Sequence, residues 1–361
     1  MNDANELISF IASMSGEGNL RVEENLGEGY VRLRVSEAER RQAKHDIQHV
    51  EDIVIEMLRN ARDAGADKVY LATTKEEGVR TLLFLDNGSG VPQDMQERIF
   101  DARVTSKLES MKMDRWGVHG RGMALFSIKQ NTDEARVVTS GVDLGSAFKV
   151  CVATDRLGER ADQSTWPQAV KDDDGRYVCA RGPHNIIRAA CEFALEELRC
   201  CDVYLGSPSE IAATLYAQAS SRLDTSRLLF IDDECELPVI DRLGLASDAE
   251  DFIRICSGLG LEMSERTAHR ILSGQIKPVR GVTARLLRER DSTSHTPAPV
   301  DLAKDRRGLR IAKDDMAQFS RAVERDFNDL AARYYLNLCG DPKIRVSRDR
   351  ITVTFDLAKE E

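Results

Sequence analysis

The chain has 361 residues, of which 42% are apolar and 31% are charged, and its formal net charge is −10 at pH 7. It has no run of about 18 apolar residues and no basic leader, which predicts neither a membrane-spanning helix nor a secretory signal. Eight cysteines without paired spacing predict reduced thiols in the cytoplasm, and the acidic balance argues against a surface broadly coated for nucleic acid.

The first half of the chain alternates between predicted strands and helices. Residues 29–35 alternate like a strand, and a helical stretch begins near Glu37 and is interrupted near His45. DKVYLAT and RTLLFLDNG form one predicted hairpin, and ARVVTSG and SAFKVCVAT form another. Residues 92–116 are long and polar enough for a mobile lid, and the apolar helix GMALFSIKQ follows a glycine-rich turn.

The second half is predicted to contain an α+β region and then a more helical, basic region. HNIIRAACEFAL and CDVYLG are predicted strands. SPSEIAATLYAQAS is a predicted helix, because Ser207 can cap it, Pro208 suits its first turn and Glu210 completes a capping box. Short helices are expected over residues 248–290. A long helix and a final strand then follow, and the predicted domains are residues 1–155, 156–247 and 248–361.

One predicted helix, IEMLRNARDAGA, carries three short polar groups on a single stripe. At 100° per residue, Asn60 and Asp63 fall within about 40° of Glu56. Apolar residues lie alongside the stripe, whereas Arg59 and Arg62 are expected to point elsewhere. If this helix were considered alone, the stripe could be explained without a functional role, as polar residues that form hydrogen bonds at the edge of the core.

Two glycine-containing motifs follow this helix. DNGSGVP comes directly after an apolar strand, so Asp86 is expected at the mouth of the strand, where Gly88 and Gly90 would let a flat ligand approach. GVHGRGMALFSI places three glycines before a helix, whose exposed N–H groups could cradle phosphate. Either motif alone is a common turn, so the information lies in the order and spacing of all three.

Together the three motifs resemble the GHKL superfamily: gyrase B, the ninety-kilodalton heat-shock chaperone, sensor histidine kinases and MutL, with MutL-type members closest in motif style. ExxxNAxDA is similar to the family's N box, DNGSG to its first glycine box and GVHGRGMAL to its second. The resemblance covers residues 50–155. It implies an α+β fold in which a two-layer α/β sandwich of the Bergerat type binds ATP and Mg²⁺, followed by a second α+β region with a helical segment.

The resemblance also implies roles for particular residues. Glu56 would orient and deprotonate the attacking water, and Asn60 would coordinate the Mg²⁺ that bridges the phosphates. Asp86 would accept a hydrogen bond from the adenine amino group, and Gly90 would let the base slide in. The other implied nucleotide-binding positions are Asp63, Gly88, Lys107, Gly117, Val118, His119, Gly120, Arg121, Gly122, Met123 and Ser146.

Two of these positions come from less complete motifs. VTSK is similar to a lid patch of MutL-type members, which implies that Lys107 helps to hold the lid or the phosphate. Ser146 in DLGSAF is the candidate for the family's third, serine- or threonine-bearing box. A plain hairpin turn would explain this serine equally well.

Glu56 decides the predicted chemistry, because a carboxylate one helical turn before the metal ligand favours hydrolysis over transfer of the phosphoryl group. The resulting prediction is an ATPase that acts as a conformational switch of the MutL or gyrase kind. In such a switch ATP orders the lid and the ordered lid permits a homodimer. Two alternatives stay open: a histidine- or serine-kinase-type signalling phosphotransferase, and a nucleotide-binding chaperone-like module.

A basic region suggests DNA, or a protein bound to DNA, as a partner of the switch. Residues 264–313 contain 12 Lys or Arg against 5 Asp or Glu. In SERTAHRILSG, Arg266 and Arg270 lie one turn apart on one helix face, which would allow phosphate contacts in a helix-turn-helix-like arrangement. A solvated helical bundle is the alternative for this region.

Overall fold

The protein's structure, a computed structural model, describes residues 22–106, 112–114, 116–119, 122–198, 200–223, 233–291, 313–331, 336–340, 342–346 and 351–359. By its internal contacts the chain divides into two compact units, Met1–Asp291 and Ser292–Glu361. The division into three domains stays a prediction. Within the described part of the chain, no helix is long and apolar enough to cross a lipid bilayer.

The first unit is built from strands and helices that alternate along the chain. Its described helices are α1 Glu37–Asp46, α2 Val50–Asp63, α3 Ala124–Asn131, α4 Ile186–Glu196, α5 Pro208–Arg222, α6 Ala249–Gly258, α7 Glu265–Leu272 and α8 Val282–Asp291. Its described strands are β1 Val22–Gly27, β2 Tyr30–Leu33, β3 Lys68–Glu76, β4 Val79–Asp86, β5 Val104–Thr105, β6 Lys112–Asp114, β7 Gly117–His119, β8 Glu134–Gly141, β9 Gly145–Ala153, β10 Gln168–Lys171, β11 Tyr177–Arg181 and β12 Asp202–Gly206.

A five-stranded sheet in the order β12-β3-β4-β9-β8 forms the centre of this unit. β12 runs parallel to β3, and the other neighbours are antiparallel. The register places Asp86 opposite Val69 on β3 and opposite Ser146 on β9. Both predicted hairpins are confirmed, and the sheet brings the ends of three strands to one edge.

Helices cover both faces of the sheet. On one face, α2 and α4 pack with Leu71 and Phe84. On the other, α5, α6 and α7 pack with Tyr70 and Leu85. Because both faces are buried, β3 and β4 contain continuous apolar runs rather than alternating ones. The α+β class is confirmed. The predicted two-layer sandwich of one sheet and one layer of helices is present, and the structure adds a second layer of helices on the other face of the sheet.

The two helices at the start of the unit begin and end where local sequence dictates. Ser36 caps α1, and Glu39 completes the capping box. The interruption predicted near His45 falls between α1 and α2. α2 ends at Asp63, and Gly65, just after the C-cap Ala64, is in the left-handed conformation with φ 76°, which is a common helix C-terminal signal.

The segment HNIIRAACEFAL is a helix, so the strand predicted there is wrong. Asn185 caps α4 by accepting a hydrogen bond from the Arg188 N–H at 2.8 Å. The two adjacent isoleucines suggested a strand, but the cap and the helical spacing of the buried residues favour α4. The helix at Pro208 and the strand CDVYLG are confirmed as α5 and β12.

The second unit is small. Its described elements are the helix α9 and short paired strands: α9 Lys313–Ala331, β13 Leu336–Leu338, β14 Lys343–Val346, β15 Ile351–Thr354 and β16 Leu357–Lys359. β13 pairs with β16, and β14 pairs with β15. The rings of Phe327 and Phe355 stack with centroids 4.0 Å apart, which holds α9 against the segment between the last two strands.

Candidate functional site

A cavity of about 630 Å³ opens in the first unit, between α1, α2 and the ends of the central strands. Its volume suits a ligand of the size of a nucleotide. Carboxylates, two amides and two guanidinium groups lie on its wall among apolar side chains. The sequence-predicted residues on the wall are Glu56, Asn60, Asp63, Asp86, Gly90, Gly122, Met123 and Ser146.

Glu56 shares an ion pair with a buried arginine on its own helix. Arg59 Nη1 lies 2.6 Å from Glu56 Oε1, and the Arg59 side chain is 3% exposed. The expectation that Arg59 points away from the stripe is therefore wrong. Residues three apart on a helix are neighbours, so the pairing was available from the spacing. The ion pair fixes the position of the Glu56 carboxylate on the cavity wall.

Asp63 at the end of α2 belongs to a second buried network. Arg62 Nε lies 2.9 Å from Asp63 Oδ1, and Arg62 Nη1 lies 3.0 Å from Glu197 Oε1. Burial lowers the pKa of Arg62, but the hydrogen bonds and charges of Glu197 and Asp63 outweigh it, so the net pKa is raised and the guanidinium stays charged. Arg62, like Arg59, therefore contacts a residue of the stripe, contrary to the prediction. Through Glu197 it also connects the cavity wall to the end of α4.

Asn60 fits the predicted role in metal binding. It lies on the cavity wall, where its Oδ1 would be the metal ligand, and its buried Nδ2 has no hydrogen-bond partner and could donate to a phosphate oxygen. Among the described residues, no group of three or more His, Cys, Asp or Glu could hold a metal ion. Mg²⁺ is usually held by one or two protein groups together with substrate phosphates, and Asn60 can supply such a ligand.

Asp86 lies at the mouth of β4, as predicted, and is 4% exposed. Its Oδ1 accepts a hydrogen bond from the Gly88 N–H at 2.8 Å. Asn87 ties the same loop to β3, because its Oδ1 accepts from the Lys68 N–H at 2.9 Å. These contacts hold the Asp86 carboxylate at a fixed point on the cavity wall.

The glycines of this loop permit close packing of backbone segments. A Cβ on Gly90 would lie 1.8 Å from the Gly141 carbonyl oxygen, and one on Gly145 would lie 2.1 Å from the Asp86 carbonyl oxygen. Gly88 is not part of the cavity wall but packs against Ala64, where a Cβ would lie 2.9 Å away. Larger residues would push the β4 loop, α2 and the β8–β9 turn apart.

Ser146 lies beside Asp86 in a chain of hydroxyl contacts. Its Oγ is 2.9 Å from Ser140 Oγ, which accepts from the Val91 N–H at 2.8 Å and donates to the Gly145 carbonyl at 2.9 Å. The structure thus brings Ser146 next to Asp86 on the cavity wall. Ser140, which the sequence analysis missed, fixes the loop that carries Gly90.

The second glycine motif is described in part. Gly122 and Met123 lie on the cavity wall before α3, whereas the backbone of Gly117, Val118 and His119 forms β7. Lys107, Gly120 and Arg121 lie outside the described residues. Within the described part of the motif, the start of α3 opens on the cavity.

Several further residues on the wall were not predicted from the sequence. α1 contributes Glu39, Gln42 and Asp46, and Arg103 precedes β5. Burial raises the pKa of Glu39, but hydrogen bonds from Ser36 and from Arg103 outweigh it, so the net pKa is lowered and the carboxylate is ionised at neutral pH. No motif marked these residues, because they approach the cavity through the tertiary fold.

The site segment matches known proteins. Residues 47–147 match the family model of the histidine kinase-, DNA gyrase B-, and HSP90-like ATPase. The DNA mismatch repair protein MutL of Brucella abortus (strain S19) is 34% identical over 112 residues, which cover 31% of this chain and 18% of that protein. MutL of Thermodesulfovibrio yellowstonii is 32% identical over 100 residues, covering 27% and 18%, respectively. MutL of Pediococcus pentosaceus is 31% identical over 112 residues, covering 30% and 17%.

The match is confined to one part of each protein. The chain spans less than a fifth of the length of the curated relatives that it matches. The matched segment runs from the end of α1 to β9 and contains Glu56, Asn60 and Asp86 on the wall of a single cavity. Over residues 47–147 the sequence therefore matches the histidine kinase-, DNA gyrase B-, and HSP90-like ATPase model, in agreement with the resemblance of its motifs to the GHKL superfamily, and it is similar there to MutL.

Proposed function

We propose that this protein binds ATP with Mg²⁺ in the cavity, hydrolyses it, and uses the nucleotide state as a conformational switch. One observation carries the proposal: Glu56, Asn60 and Asp86, the catalytic, metal-binding and adenine-binding positions of the family motifs, lie together on one cavity wall. A reducing compartment such as the cytoplasm suits the eight cysteines without paired spacing.

Each of the three residues contributes one function to the proposed reaction. Glu56, held by Arg59 at 2.6 Å, would accept the proton of the attacking water. Asp86, held by the Gly88 N–H, would accept from the adenine amino group and orient the nucleotide. Asn60 would hold Mg²⁺, which neutralises phosphate charge when bound.

The first test measures nucleotide binding by calorimetry and phosphate release by a colorimetric assay, with and without Mg²⁺. We expect the wild-type protein to bind ATP and to release phosphate only with Mg²⁺. Asn60→Ala should remove the Mg²⁺-dependent part of both signals, and Asn60→Asp should restore some of it, because a carboxylate can also ligate Mg²⁺.

The same samples distinguish the alternatives. Absence of heat with ATP and Mg²⁺ in the wild-type protein would overturn the proposal. Binding without turnover would favour the chaperone-like module, and transfer of labelled phosphate to a partner protein would favour the signalling phosphotransferase. Association of two copies on ATP binding, which the proposed switch includes, is measured by light scattering in the same titration.

We further propose that the switch acts on DNA or on a DNA-bound complex, through exposed basic residues of the first unit. Arg266 and Arg270 on α7 are exposed, as are Lys277, Arg280 and Arg285 after it. Ser264 caps α7 and so fixes the start of the helix that bears the two arginines. The relatives named above are DNA mismatch repair proteins, which agrees with a DNA partner. Residues 292–312 of the predicted basic region lie outside the described residues.

The DNA proposal predicts binding that weakens steeply with salt, because basic side chains would release counterions from the phosphates. Fluorescence anisotropy of a labelled duplex measures the affinity of the full chain at several salt concentrations. The double variant Arg266→Glu, Arg270→Glu should weaken binding and reduce the salt slope by about two. The control variant Arg176→Glu, Arg181→Glu changes two exposed arginines in and beside β11 and should have little effect. Equal losses in both variants would contradict the assignment to α7.

A further inference from the structure

Arg103 is a buried cation on the cavity wall that the proposed reaction has not used. It is 5% exposed, and its Nε has no hydrogen-bond partner. A buried donor without an acceptor is costly, so such a group is uncommon unless a ligand completes it. Its guanidinium also contacts the Glu39 carboxylate through Nη2.

The backbone of Arg103 is held in an uncommon conformation. Its φ is 62°, in the left-handed region that residues with a Cβ seldom adopt. Hydrogen bonds on both sides fix it: its N–H donates to the Gly122 carbonyl at 2.8 Å, and its carbonyl accepts from the Leu33 N–H at 2.9 Å. Such over-determined local strain is typical of functional sites.

The same contacts place Arg103 beside the second glycine motif. A Cβ on Gly122 would lie 2.9 Å from the Val104 carbonyl and 3.1 Å from the Arg103 carbonyl carbon, so the two segments touch. Met123 and Ala124, at the start of α3, lie on the cavity wall, and no side chain caps this helix. The start of α3 and Arg103 therefore line the same cavity, and the backbone of Arg103 lies beside the turn that precedes the helix, so uncapped N–H groups and a cation both face a ligand there, which suits an anion.

The charges of the cavity wall point to the same end. Among the described residues of the wall, carboxylates outnumber cations, and the two cations are Arg59 and Arg103. Arg59 is committed to Glu56 at 2.6 Å. A triphosphate carries several negative charges and therefore needs a cation within reach. Of the two arginines, Arg103 is the one with a donor still to be satisfied.

We propose that Arg103 binds the terminal phosphate of the nucleotide and makes the cavity prefer ATP to ADP. The inference rests on the proposed ATP site and adds to it a residue that selects the triphosphate. Glu39 orients the guanidinium, since the Glu39 carboxylate is itself fixed by the Ser36 N–H at 2.9 Å and the Ser36 hydroxyl at 3.0 Å. The Arg103 side chain is thus already positioned before the nucleotide binds.

Calorimetry on the full chain tests this with ADP and with AMPPNP, an ATP analogue that resists hydrolysis. Arg103→Met should raise the Kd for AMPPNP by roughly 10- to 100-fold and the Kd for ADP by less than about 3-fold, because a charge-assisted hydrogen bond is lost only from the triphosphate. Arg103→Lys, which keeps the charge in a buried position, should retain part of the preference and guards against a folding defect in the methionine variant.

Two further variants separate phosphate binding from a structural role. Arg98→Met removes a partly exposed arginine of the same segment, 3.6 Å from Glu24, and should leave both Kd values unchanged. Glu39→Gln keeps an oxygen that can accept from the guanidinium, so it should reduce the preference for AMPPNP less than Arg103→Met does, whereas a purely structural ion pair would make the two variants lose affinity for both nucleotides equally. An unchanged ratio of the two Kd values in Arg103→Met would overturn the inference. A wild-type protein that binds neither nucleotide would instead overturn the ATP site itself.

Discussion

Replacing Glu56 with Gln will reduce the turnover number for ATP hydrolysis by about 10²- to 10⁴-fold, the usual contribution of a general base. Glutamine occupies the same space and its amide oxygen can still accept a hydrogen bond from Arg59, but it cannot accept a proton from water at neutral pH. The dissociation constant for ATP with Mg²⁺ should change little. Phosphate release and calorimetry on the same preparation measure the two quantities.

The stability of this variant needs a matched control. Arg59 is 2% exposed, and loss of the negative charge of Glu56 would lower the free energy of unfolding, since a buried cation is stabilised by a nearby anion. Glu192→Gln removes another half-buried carboxylate that pairs with an arginine, Arg188, at 2.8 Å, but away from the cavity wall. It should lower Tm without lowering turnover. Turnover that survives in Glu56→Gln would remove this residue from the proposed mechanism.

Replacing Asp86 with Asn is expected to weaken ATP binding by roughly 10- to 150-fold, the value of one hydrogen bond to a charged group. The amide keeps the shape of the side chain, and its oxygen can still accept from the Gly88 N–H, so the loop should keep its conformation. An amide NH₂ would face the adenine amino group, however, and two donors cannot bond to each other.

Comparing the affinity for ATP with the affinity for GTP makes this test specific to the base. Guanine has a carbonyl where adenine has an amino group, and an asparagine NH₂ can donate to that carbonyl. The preference of the wild-type protein for ATP over GTP should therefore disappear or reverse in Asp86→Asn, as measured by calorimetry with each nucleotide. An equal loss of affinity for both nucleotides would mean that Asp86 shapes the loop rather than recognises the base.

Local patterns predicted the part of the site that depends on neighbours in sequence. The helical period placed Glu56 and Asn60 on one stripe, and the apolar run before Asp86 placed this residue at the mouth of a strand. The structure brings all three to one cavity wall. The spacing of apolar residues, 3.6 residues in a helix and 2 in a strand, is a local property of the sequence. It predicts the observed element where the same residues are buried in the fold.

Contacts between distant segments could not be predicted in this way. The helical angle predicted that Arg59 points away from the stripe, and its burial became clear only from the packing around α2. Arg103 reaches the cavity through bonds to Leu33 and Gly122, residues far from it in sequence. The error at Ile186 had another cause: β-branched residues favour strands locally, and the Asn185 cap was overlooked.

The parallel pairing of β12 with β3 has a consequence for how the protein is made. Asp202 aligns with Lys68, so the ribosome adds well over a hundred residues between the two partners. At the usual rate of synthesis this takes about 10 seconds, much longer than a hairpin such as β3–β4 needs to form. During that interval the free edge of β3 could recruit strands from other nascent chains. The delayed arrival of β12 therefore leaves the edge of β3 unpaired for longer than any hairpin of this sheet needs to form.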